Sequence, residues 1–247
     1  MIKLTRVPRP QRLDDTTVSE LTKKYAESKT PVWNVDFIKQ PLLDSSGGKC
    51  AYCEASISEE SKYMEVEHFR CKSDFPDKVV EWDNLLPSCK RCNGKKLDYN
   101  VDIEGSIINP FNTNPSDHLY LQNFRLHGRD DIGRRTIGVI YLNDSARLVS
   151  VRLRIGEAIA TALDVIRDKL ENYNSGPQTV RLRNQITSGV EKLLSEAQSS
   201  SEYSAVAATV LLTDPNYIWI KHELAVRGLW EPLEDLELSA TAIAMFP

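Results

Sequence analysis

The sequence predicts an α+β protein, mainly α, with a small ββα module set between helical regions. Three observations predict it. Residues 49–110 are dense in Cys, Trp, Asn and Lys and have no long helical period, yet they hold the strand-like alternation "YMEVEHF". Leu148, Val151, Ile155, Ile159, Leu163, Ile166 and Leu170 recur every three or four residues, which is one face of a helix. Thr17 and Glu20 in "TVSEL" have the spacing of a capping box, which marks a helix start.

Taken in order, the box opens a helix from about Val18 to Ser28, and Pro31 separates it from a second short helical stretch, "VWNVDFIKQPLL". "DSSGGK" is flexible punctuation. "YMEVEHF" forms a strand, "WDNLLPSC" is the return, and Ser88 caps a helix whose first turns run from Lys90 to Lys96. "NPFNTNPSDHLYL" reads as an irregular connector, and "TIGVIYLN" (Thr136 to Asn143) as a strand. Beyond the helical face of residues 148–170, "TVRLRNQITSGVEKLLSEA" and "EYSAVAATVLL" form two more helices, divided by "NSGP" and "QSSSE". The expected domains are a helical extension (1–48), the module (49–110) and a mainly helical region (111–247). No internal repeat is present.

Composition narrows the function. The 247 residues carry a net charge of −4, which excludes a globally basic nucleic-acid binder but not a local basic site. No window approaches ~18 consecutive apolar residues, so no membrane span is expected. The start, "MIKLTRVPRPQRLDD", has no apolar core long enough for a signal peptide, so a cytoplasmic protein with reduced thiols is expected.

Four of the five cysteines form two C-x-x-C pairs, Cys50/Cys53 and Cys89/Cys92. Reduced and so spaced, they read as four thiolate ligands of one structural zinc. The fifth, Cys71, reads as a small semi-buried residue. The 35 residues between the pairs exceed the ~15–20 of a simple zinc ribbon. The insert holds "VEHF", which delivers Glu67 and His68 at the end of a strand. On the following helix Asn93 and Lys96 are three apart and share a face.

"C-A-Y-C … V-E-H-F … W-D-N-L-L … C-K-R-C-N-G-K-K" resembles the HNH endonucleases, the zinc-bearing branch of the ββα-metal (His-Me finger) nucleases. The signature positions are His68, Asn84 and Asn93, the last with asparagine where the family name has histidine. A looser similarity runs through "MIKLTRVPRP", "GGKCAYCEASI", "EHFRCKS", "EWDNLLPSCKRCNGKK" and "NPFNTNPSDHL" to the HNH subunit of the Septu anti-phage system and of some retrons. Here Cys71 stands where that subfamily suggests proline.

The resemblance implies a nuclease centre. His68 would be the general base of phosphodiester hydrolysis, since imidazole accepts a proton near neutral pH. Glu67 and Asn93 would offer oxygens to Mg²⁺ or Mn²⁺, and a local bend must bring Glu67 and His68 inward together. Asn84 would hold the loop behind His68 through hydrogen bonds to backbone. Lys90, Arg91, Lys95 and Lys96, with no acid among them, would contact the phosphates of a nucleic acid, with DNA favoured over RNA. The resemblance also implies an ABC/SMC-like ATPase partner, for which the helical region 111–247 is the natural surface. The chain itself has no Walker A pattern. Two alternatives stand beside this reading: a tRNA-cleaving or RNA-cleaving toxin of the same fold, and a zinc-finger module that binds without cutting. His118 is expected to serve the connector, and Trp82 to pack at the hairpin.

Overall fold

In the computed structural model, which describes residues 1–58 and 64–247, Asp14 rather than Thr17 opens the first helix, α1 (Asp15–Ser28). The Asp14 carboxylate accepts from Thr17 N at 2.8 Å, so the cap lies three residues before the expected one. Helix α2 (Asp36–Ser46) follows and buries Ile38 and Leu42 against the hairpin of β1 (Met64–His68) and β2 (Leu85–Cys89). The strands pair antiparallel, with Met64 opposite Cys89 and His68 opposite Leu85. Tyr63, the first residue of the expected strand, lies outside the described residues.

Helix α3 (Lys90–Lys96) turns back across both strands and completes the ββα unit. Its cap is Cys89, whose sulfur accepts from Cys92 N at 3.4 Å. Ser88, the expected cap, is instead fully buried in β2. The start of the chain is tied to the same hairpin. Arg6 stacks over the rings of Phe111 and Trp82 and donates to Trp82 O at 2.8 Å and Leu85 O at 2.9 Å. Trp82 is buried and donates its indole N–H to Val7 O.

"TIGVIYLN" is not a strand. Its first five residues end helix α4 (Asp131–Ile140), which Asp130 caps by accepting from Gly133 N at 2.8 Å. β-Branched residues suggested a strand, but the cap and the burial of Thr136 and Ile140, one turn apart on one face, decide for the helix. The expected connector contains a short 3₁₀ turn, Pro115–Asp117, and then β3 (Leu119–Gln122), followed by β4 (Arg125–Gly128).

The chain divides into two compact units. One comprises Met1–Leu119 and Leu126–Asn143, and so holds the N-terminal helices together with the ββα module. The other comprises Tyr120–Arg125 and Asp144–Pro247. In the second, a π-helical turn (Ser145–Val149) leads into α5 (Ser150–Ser175), whose buried Ile159, Leu163, Ile166 and Leu170 follow the helical face read from the sequence. Helices α6 (Val180–Glu196), α7 (Ser204–Thr213) and α8 (Pro215–Val226) pack on α5, and α9 (Glu234–Ile243) packs on α6 and α7. Among the described residues, no helix is long and apolar enough to cross a membrane.

Candidate active site and cysteine cluster

The first cysteine pair sits on a tight turn. Glu54 N donates to Cys50 O, Glu54 adopts a left-handed φ of 64°, and Ala51 N donates to Pro87 O at 2.9 Å, which ties the turn to β2. The second pair opens α3. The four sulfurs of Cys50, Cys53, Cys89 and Cys92 lie within 4.8 Å of one another, and Cys53 and Cys89 are 3.8 Å apart. A tetrahedron with Zn–S bonds of about 2.3 Å has edges of about 3.8 Å, so the set fits zinc in size and donor type. Burial raises the Cys50 thiol, but hydrogen bonds from the other three outweigh it and hold Cys50 well below the usual thiol range. Cys71 is buried, outside this set, on the wall of the neighbouring cleft.

That cleft, about 310 Å³, lies between the end of β1 and α3, and Glu65, Glu67, His68, Lys72, Lys90 and Asn93 line it. Alternation along β1 puts Glu65 and Glu67 on one face. His68 reaches the same cleft because β1 ends there and the chain bends at 69–70. The His68 ring is fixed on two sides. Its Nε2 lies 2.9 Å from Val79 O, and the Trp33 ring meets it edge-on at 4.5 Å. A carbonyl only accepts, so Nε2 carries the proton and the Nδ1 lone pair is the ring's basic position. Burial lowers the His68 pKa to about 4, with help from Lys72 and Lys96 and against the Val79 hydrogen bond, so the imidazole is neutral at physiological pH.

Asn84 staples the loop that carries Val79. Its Oδ1 accepts from Arg70 N at 2.7 Å, and its Nδ2 donates to Arg70 O and Lys78 O, each at 3.1 Å. One buried amide therefore ties the loop between the strands at Arg70 and at Lys78, the residue next to Val79, whose carbonyl orients His68.

Glu67 is buried beside Lys96, whose ammonium lies 2.8 Å from Oε1 and donates to His68 O at 2.8 Å. The Glu67 contact is an ion pair by distance, since among the described residues no hydrogen bond of good angle reaches Oε1. Burial raises the Glu67 carboxyl to about 7, with Lys96 pulling the other way. This corrects the expectation for Lys96. At 2 % exposure it cannot meet a nucleic-acid backbone, and its charge is spent inside the site. Arg91 is also engaged internally, donating to Ile140 O and Tyr141 O at the end of α4. Lys90 and Lys95 are exposed.

Asn93 donates its Nδ2 to Glu65 Oε2 at 2.7 Å. Glu65 has no place in the reading of the sequence, although "EVEH" contained the signal: a carboxylate two residues before Glu67 must share its face. Lys72 and Trp33 were also missed. His118 pairs with Asp130 at the start of α4 and does not line the cleft.

Residues 50–98 match the family model for HNH endonuclease. Over 231 residues, 93 % of this chain and 89 % of the relative, the sequence is 41 % identical to the Septu protein PtuB of Bacillus thuringiensis. The chain belongs to the Septu PtuB family. A second PtuB, from Bacillus mycoides (strain KBAB4), is 29 % identical over 160 residues, 48 % of this chain and 54 % of its own length. No solved structure matches the chain. Within the family-model span lie all four zinc-set cysteines, the cleft carboxylates, His68, Asn84 and Asn93. The PtuB likeness extends well beyond it, through most of the helical second unit.

Proposed function

We propose that this PtuB-family chain is a divalent-metal-dependent endonuclease. It hydrolyses phosphodiester bonds, of DNA in preference to RNA, in the cytoplasm, as the effector of an anti-phage system. The observation that carries the reading is the state of His68: neutral, fixed through Nε2, and lining a cleft with two carboxylates and an amide. Glu67 and Asn93 would hold the cation, and their oxygens are the hard donors that Mg²⁺ or Mn²⁺ takes. When bound, the ion supplies positive charge against the phosphoryl transition state and the leaving 3′ oxygen.

The chain's own residues do the rest. His68 Nδ1 takes the proton of the attacking water, and a phosphate beside it raises its basicity above that of the empty cleft. Asn84 keeps Val79 O in place, so the ring neither flips nor loses the useful tautomer. Lys96 compensates the Glu67 carboxylate from the side remote from solvent. Exposed Lys90 and Lys95 supply phosphate contacts without sequence choice. The cysteine set, with all four zinc positions filled by sulfur, leaves none for water and is structural.

The partner is an ABC/SMC-like ATPase that docks on the region 111–247. Apolar side chains left exposed there, Val165, Ile218, Val226 and Leu238, support this. Co-expression with an adjacently encoded ATPase should give a salt-resistant complex, and truncation after Asn143 should abolish it. For the chemistry, His68→Ala should keep zinc, fold and partner and lose ~10²–10⁴-fold of the cleavage rate. DNA and tRNA substrates are compared with and without Mg²⁺ or Mn²⁺. An active His68→Ala protein, free of contaminating nuclease, would overturn the mechanism. Full biological effect without any cleavage would favour a binding module.

A further inference from the structure

The geometry points to Glu65 as a positioning residue that turns the Asn93 amide so that its oxygen, not its nitrogen, is offered to the catalytic cation; this rests on the nuclease reading above. A carboxylate has only acceptors, so the 2.7 Å contact between Glu65 Oε2 and Asn93 must use the amide NH₂. An amide fixed by its NH₂ end presents its Oδ1 on the other side. Asparagine at the helix position of the motif is ambiguous in a way that histidine is not: rotated by 180° about its last bond, it would show the cation two N–H donors. Something must break that symmetry, and Glu65 is the group in contact that does so.

The arrangement around it supports a built site. β1 advances two residues from Glu65 to Glu67 while α3 advances three from Asn93 to Lys96, steps of about 6.6 Å and 4.5 Å. Each carboxylate therefore meets its own partner: Glu65 the amide, Glu67 the ammonium. The two links differ in depth. The Lys96 pair is sealed from solvent, whereas Glu65 and Asn93 are half-buried on the cleft wall, where a cation and substrate would enter.

The test measures Mn²⁺ affinity of the full-length, zinc-loaded chain by calorimetry and by electron paramagnetic resonance of free Mn²⁺, with DNA cleavage alongside. Glu65→Ala frees the amide and should weaken Mn²⁺ binding by about 10- to 100-fold, the range typical of partners that orient a metal ligand. Glu65→Gln keeps the contact but can flip to donate to Asn93 Oδ1, so it holds the amide less surely and its Mn²⁺ affinity should fall between wild type and Glu65→Ala. Asn93→Asp sets two carboxylates against each other and should disturb binding, whereas the pair Glu65→Gln with Asn93→Asp re-forms the hydrogen bond with donor and acceptor exchanged and should restore it. A loss in Glu65→Gln as large as in Glu65→Ala would make charge, not orientation, the contribution and overturn the inference. So would wild-type Mn²⁺ affinity in a folded, zinc-replete Glu65→Ala protein. If the wild type neither binds Mn²⁺ nor cuts, the nuclease reading fails and takes the inference with it. If the wild type binds and cuts while Glu65→Ala does so equally, only the inference fails.

Discussion

Lys96→Met separates a buried partner of the active site from a surface contact. The change removes the ammonium and keeps an apolar stem of similar length. In the wild type Lys96 Nζ lies 2.8 Å from Glu67 Oε1 and 2.8 Å from His68 O, with the residue 2 % exposed. Removing one member of a buried ion pair typically costs about 3–5 kcal/mol, because the other charge loses its compensation. Glu67 can escape that cost by taking up a proton, and this sets the pH dependence. Its folded carboxyl stands at about 7, above the ordinary 4.5, so between those values the folded state binds more protons than the unfolded. The stability it contributes is full below pH 4.5 and is lost as pH rises through about 7. Without Lys96 the folded carboxyl climbs further, and the loss continues to higher pH. The two proteins should therefore be close near pH 5 and differ by up to about 1.4 kcal/mol near pH 8, one pH unit beyond the wild-type value, with the gap widening at higher pH. Urea unfolding of zinc-loaded protein, without other divalent ions, reads this directly. In a His68→Ala background, DNA affinity and its salt dependence should be unchanged by Lys96→Met, whereas Lys90→Ala and Lys95→Ala should each reduce the salt slope by about one. Equal stability at pH 8, with DNA affinity lost, would refute the buried-partner argument and return Lys96 to the surface role.

Cys89→Ser should lower zinc content from about one per chain and cost solubility or fold, because the same sulfur both binds the ion and caps α3; elemental analysis with circular dichroism checks it, and a metal-free yet fully folded variant would refute it. Cleavage rate should rise with pH along a limb near 7 at low Mg²⁺, set by Glu67 rather than by His68 at about 4, and that limb should move to lower pH as Mg²⁺ rises, since the cation competes with the proton. A limb that ignores Mg²⁺ would assign it to another group. Asn84→Ala should leave zinc bound but cost about 1–3 kcal/mol of stability and most of the activity, because it orphans loop backbone groups and frees the carbonyl that orients His68; chemical unfolding and cleavage assays together check this.

Much of this was legible in the sequence, for reasons that can be named. Cysteine spacing is chemistry with fixed geometry, so Cys50, Cys53, Cys89 and Cys92 could be brought together on paper, and the structure brings their sulfurs within 4.8 Å. The face of α5 was legible because burial at three- and four-residue intervals has one helical solution. The misses share a cause: a local signal was read one step too far from the residue that decided it. Thr17 has the spacing of a cap that Asp14 supplies, Ser88 the place of one that Cys89 supplies, and "TIGVIYLN" looks like a strand until Asp130, whose side chain starts α4, is included. Lys96 was grouped with its charged neighbours, yet helical periodicity turns it a full 100° per residue away from Lys95 and into the site. Its pairing with Glu67 depends on where β1 crosses α3, which one-dimensional spacing does not contain.

α3 shows why the site depends on polar links rather than on an apolar core. It has seven residues, and helices under ~12 are marginal alone. Its sequence, "KRCNGKK", offers no apolar face to bury except the Cys92 thiol. Three groups hold it on the hairpin, the sulfurs at its first turn, Asn93 on Glu65, and Lys96 on Glu67 and the His68 carbonyl, while Arg91 ties it to the end of α4. Each is also part of the proposed chemistry, or touches a residue that is. The zinc set fixes the start of the helix, and the two links fix its rotation, so Asn93 and Lys96 face β1 and Lys90 and Lys95 face solvent. Stability and function are coupled here by construction. A variant that loosens α3 should lose zinc, cation affinity and cleavage together, whereas one that alters only the His68 ring should lose cleavage alone.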